Sequence, residues 1–117
     1  MALARKDEQI SVEIAGLQGR LQQLAEDCRH IDQWLSADQA FLTLVQRHNE
    51  QIRSLLTASD SLDQQVRNAL SELAIIGQVQ SFLLGQTMQR EARARVRLED
   101  ERKKAQRALA LLASLII

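Results

Sequence analysis

The chain has 117 residues, the size of one ordinary domain, with no proline, four glycines and three aromatic side chains, Trp34, Phe41 and Phe82. Fifteen basic and fifteen acidic residues cancel, so the positive surplus that drives dedicated nucleic-acid or anionic-membrane binding is missing. Ala, Leu, Gln, Glu and Arg dominate, which favours helix over strand, and the shortage of large rings favours thin, leucine-lined seams over a wide core.

The first predicted helix runs from about residue 5 to 57. Its apolar residues recur at Ile10, Ile14, Leu17, Leu21, Leu24, Cys28, Ile31 and Leu35, alternating steps of four and three that define the seam of a coiled coil. The same phase continues through Asp38, Leu42, Val45, Asn49, Ile52 and Leu56, so one uninterrupted helix is the simplest reading. Ser36-Ala-Asp-Gln39 has the form of a capping box. It keeps open an alternative, a three- or four-helix bundle with a break near residue 36.

Thr57-Ala-Ser-Asp-Ser61 gathers small polar residues that prefer caps and turns, which places the hairpin turn at about 58–61. Asp60 or Ser61 is then expected to cap the second helix, over about 62–115. That helix opens with Leu62, Val66, Ala69, Leu73 and Ile76 and passes Val79, Phe82 and Leu83. These residues are the expected seam, pairing with the stretch from Phe41 to Leu56. Beyond Gly85 the pattern fades: Thr87, Arg90, Ala94 and Arg97 continue the phase, whereas Leu98, Glu101, Ala105, Ala108, Leu112 and Leu115 run one residue out of step. A stutter or local unwinding between residues 85 and 98 is implied. The fold class expected is therefore all-α: a long antiparallel two-helix coiled-coil hairpin forming one domain over 1–117, about 70 to 80 Å long at 1.5 Å per residue.

Folding back about residue 59 sets Leu42 opposite Ile76, Leu35 opposite Leu83, and the stripe from Leu21 to Ile31 opposite an arginine-rich stretch. From Gln86 to Arg107 there are eight basic and four acidic residues. Two readings of this mismatch stand: arginine stems cover the stripe, or the stripe is partly open and receives another chain.

Little in the sequence points to chemistry. Cys28 and His30 lie about 200° apart on a helix, so together with Asp32 they do not converge on a metal. Cys28 reads as a small seam residue. His48 has no nucleophile or orienting partner at helical spacing, and the four glycines are isolated rather than part of a phosphate loop. No enzyme, metal or cofactor is expected. Asn49, at a seam position, either specifies register or is exposed where the hairpin is wide. Phe41 reads as core, and Trp34 as either a core plug or a partner anchor. A lone cysteine and an N-terminus, MALARKDEQ, without an apolar core suggest a cytoplasmic setting. The apolar tail from Ala108 to Ile117 is too short to span a bilayer.

Two proline-free helices of similar length, with Val79-Gln-Ser-Phe-Leu-Leu-Gly-Gln86 followed by the charged stretch Arg90 to Arg107, resemble the central-stalk proteins of type III secretion, the FliJ/YscO group. That group usually begins with a more basic N-terminal segment than Arg5 and Lys6 beside Asp7 and Glu8. The resemblance implies a non-enzymatic rod that bridges a hexameric export ATPase and the export gate. Arg90, Arg93 and Arg97 would meet an acidic partner, and Leu21, Leu24, Ile31 and Trp34 are further candidate contacts. Alternatives are a secretion chaperone or heterodimer subunit holding a client helix, and a homodimeric structural bundle. Neither nucleic acid nor membrane insertion is expected.

Overall fold

The computed structural model describes residues 2–58 and 62–116, with side chains from residue 5. Two helices account for nearly all of them: α1, Ala2–Ala58, of 57 residues, and α2, Gln64–Ser114, of 51 residues. They form a long antiparallel coiled-coil hairpin. The alternative bundle fails because α1 runs through Ser36 without a break. Around that point the inward phase Ile31, Leu35, Asp38, Leu42 is intact, and a helix that keeps its seam has no reason to end.

The expected turn at 58–61 lies, apart from the helical Ala58, outside the described residues, as do Asp60 and Ser61. Thr57 stays within α1 because its hydroxyl donates back to the carbonyl of Arg53 at 3.0 Å, which meets its hydrogen-bonding need without a turn. At the start of α2 the carbonyl of Asp63 accepts from the Arg67 amide at 2.9 Å. Asp63 therefore holds the cap position. Arg67 also donates to the carbonyl of Leu56 at 3.5 Å, placing a cation on the last turn of α1 where the helix dipole favours one. At the far end, i→i+3 bonds from Leu115 to Leu112 and from Ile116 to Ala113 tighten the close of α2.

Every seam position expected for α1 faces inward, from Ile10 to Leu56. The phase expected for α2 does so only in its distal part, at Leu98, Ala105 and Leu112. Its inward residues are Arg67, Leu70, Ala74, Gly77, Ser81, Leu84, Met88 and Glu91, then Arg95, Leu98, Arg102, Ala105, Leu109 and Leu112. These steps alternate three and four without a slip, so there is no stutter between 85 and 98. Val66, Ala69, Leu73, Ile76, Val79, Phe82 and Leu83 are exposed. The register moves as well: Asn49 meets Ser81 and Asp38 meets Glu91, twelve and eleven residues beyond the partners, 69 and 80, that a fold about residue 59 assigns.

The helix pair divides into two units, one formed by the chain up to Gln33 and from Ala92 onward, the other by Trp34–Glu91.

Candidate interaction surface

In the first unit the stripe from Leu21 to Ile31 is closed by the chain itself. Leu24, Cys28 and Ile31 are buried, and Arg95 reaches Cys28 from α2. Its Nη1 donates to Cys28 Sγ at 3.1 Å and to Glu99 Oε2 at 3.0 Å, while Nε donates to Asp32 Oδ1 at 3.0 Å. The hydrogen bond to Glu99 and then that to Asp32 raise the guanidinium pKa further, and Arg95 in turn holds the Glu99 carboxyl below its ordinary value. Arginine therefore enters the seam with its charge matched and its stem over apolar surface. The reading in which this stripe lies open to another chain is thereby overturned. A second cross-helix pair, Arg20 to Glu101 at 2.7 Å, is solvent-exposed on both sides and adds little.

The seam of the second unit is polar where a coiled coil is usually apolar. Val45 is its buried apolar side chain among the described residues, beside buried Asn49 and Gly77. Asn49 Nδ2 donates to Ser81 Oγ at 3.5 Å. A Cβ added at Gly77 would run into the Asn49 carboxamide, so this crossing is tight enough to require glycine. Asn49 is thus buried across from α2, and its exposure at a wide place is excluded. About three helical turns away, Asp38 and Glu91 meet. The hydrogen bond with Asp38, then burial, then the Asp38 charge push the Glu91 carboxyl up to about 7, and no donor reaches Glu91 Oε2. Between two carboxyls the missing donor is a proton, which the raised Glu91 carboxyl holds up to about neutral pH.

The apolar residues left out of this seam lie outside. Leu73, Ile75, Ile76, Val79, Phe82 and Leu83 are each 50–64% exposed. Residues 73–89 carry no ionisable side chain at all, so nearly five turns of a surface helix lack the charges that normally solvate one. Phe41, read as core from sequence, is 50% exposed. Trp34, seven residues before it, and Leu55, fourteen after it, are exposed on the same flank of the α1 seam.

No protein-family model, curated protein or solved structure matches this chain.

Of the sequence-derived contact candidates, Leu24 and Ile31 are buried in the seam and Leu21 is half-buried, which leaves Trp34 as the exposed apolar one. Arg90 in one unit, and Arg93 and Arg97 in the other, are exposed. The arginines of α2 divide by direction: Arg95 and Arg102 turn inward and pair with carboxylates, whereas Arg90, Arg93 and Arg97 turn outward. The exposed apolar face was missed from sequence, although the charge-free run 73–89 was a signal for it. His30 and His48 are exposed. Among the described residues no group of three His, Cys, Asp or Glu side chains is placed to hold a metal, and no helix is long and apolar enough to cross a membrane.

Proposed function

We propose that the chain is a non-enzymatic coiled-coil adaptor, a stalk-like cytoplasmic component of a bacterial type III protein-export apparatus that meets the export ATPase and the export gate. The observation that carries this reading is the outward pair Arg93 and Arg97, exposed on a helix whose inward Arg95 and Arg102 are already paired. Outward guanidinium groups suit bidentate contact with an acidic protein surface. The resemblance carried by Val79 to Gln86 and the following basic stretch supplies the export context.

The test is binding of the purified chain to a hexameric export ATPase and to the cytoplasmic domain of an export gate, measured by calorimetry. Arg93→Glu with Arg97→Glu reverses two charges on exposed positions. The pair is expected to weaken binding by at least about tenfold, more at low salt, with the circular dichroism at 222 nm unchanged. Undiminished affinity in that variant would remove these arginines from the interface, and no binding by the parent chain would remove the export assignment.

A further inference from the structure

We infer that the outer face of α2 pairs with the same face of a second copy, antiparallel, about a two-fold axis that passes near residue 81. Three properties of this face lead there.

The first is its pattern. Ile76, Val79 and Leu83 are spaced three and four apart, and the row extends in the same steps through Gln86 to Arg90 and back to Glu72. A helix carrying a second heptad row on the face opposite its own seam has a second helix to meet.

The second is its charge. The row is neutral from Ile76 to Gln86 and bracketed by one acid, Glu72, and one base, Arg90, both exposed. These two lie equally far from residue 81. In an antiparallel pair Val79 therefore meets Leu83 of the second copy, and Glu72 meets its Arg90, twice over by symmetry. A surface complementary to itself is what a two-fold interface requires, and loss of charge from the middle of the patch is the composition of an interface core. The chain's zero net charge leaves no long-range repulsion to oppose association.

The third is its size. Six apolar side chains at least half exposed, Leu73, Ile75, Ile76, Val79, Phe82 and Leu83, present about 600 Å² at roughly 100 Å² each. That is the upper end of what a monomer shows. Two copies would cover about 1,200 Å², the lower bound of a stable interface. The second unit has most to gain, because its own seam buries so little apolar surface. Pairing uses Arg90 and leaves Arg93 and Arg97 to face other proteins, so it goes beyond the adaptor role without depending on it.

The test is sedimentation equilibrium of the full chain over about 1 to 200 µM, where a dissociation constant on the order of 1–10 µM is expected. The mass should rise from 13.2 kDa toward twice that value. Val79→Asp with Leu83→Asp should abolish the rise. Both residues point away from the hairpin seam, so helicity should persist. Glu72→Arg alone and Arg90→Glu alone should each weaken pairing by about tenfold, and the two together should restore it to within about threefold of the parent. That rescue does not require the apolar variant to fold. A chain that stays monomeric throughout overturns the proposal, whether the face then binds a different protein or lipid vesicles. Single reversals that weaken pairing without rescue by the double variant overturn the antiparallel register.

Discussion

Gly77→Ala gives the most direct check of how the two helices cross. In an open helix the change stabilises by about 1 kcal/mol, because alanine loses less backbone entropy than glycine. Here the new methyl would overlap Asn49 Oδ1 and lie 2.7 Å from Cγ and 3.0 Å from Nδ2. The whole carboxamide must move, not a flexible tip, and Asn49 is buried. Overpacking of this kind costs about 1–3 kcal/mol, and displacement of Asn49 gives up its long hydrogen bond to Ser81, worth at most about 0.5 kcal/mol. The net expectation for Gly77→Ala is a loss of about 1–2 kcal/mol. Asn49→Ala alone should be close to neutral, since the gain in helix propensity offsets the space left behind. The double variant should exceed the parent by about 1 kcal/mol, because the methyl introduced at position 77 then fills the vacated space. Urea denaturation followed at 222 nm supplies all four corners of the cycle, with a coupling of about 2 kcal/mol expected. If Gly77→Ala stabilises both backgrounds equally by about 1 kcal/mol, Asn49 does not face Gly77 and the seam assigned to α2 is wrong.

Two further outcomes follow from the seam, beside those given for partner binding and self-pairing. The Glu91 carboxyl is raised from 4.5 to about 7, so the folded chain binds its proton more tightly than the unfolded chain. Its contribution is full below about pH 4.5 and is lost as pH rises through about 7, an effect on the order of 1 kcal/mol after solvent screening. Urea midpoints of the parent should fall across that window, and Glu91→Gln should flatten the fall; an unchanged slope in the variant would show that Asp38 and Glu91 do not share a proton. Arg95→Ala should uncover Cys28, which is 3% exposed beneath the guanidinium. Its reaction with an aromatic disulfide reagent should quicken at least about tenfold while overall stability falls by about 1–2 kcal/mol, and equal thiol rates would mean that Arg95 does not shield the sulfur.

The sequence by itself determined that two helices form and which face of α1 packs. From Ile10 to Leu56 one apolar-rich row repeats along the whole of α1, whereas Val12, Trp34, Phe41, Leu44 and Leu55 outside it form no row of that length, so the heptad phase has a single solution, and Cys28 and Asn49 fall in it. α2 offers two rows. The stronger, Leu73 to Leu83, points outward; the seam takes the weaker, in which Leu70 on one side and Leu84 and Met88 on the other flank the small residues Ala74, Gly77 and Ser81. Hydrophobicity read along one helix favours the larger side chains, but close approach at Asn49 requires the smaller ones, and that requirement resides in the partner helix. The arginine-rich stretch shows the same limit. Arg95 looks misplaced in a seam until Asp32 from α1 and Glu99 from its own helix are brought within 3.0 Å. Only the tertiary structure decides such pairings, because the stability of a half-buried charge depends on what the other helix supplies and not only on the residue that carries it.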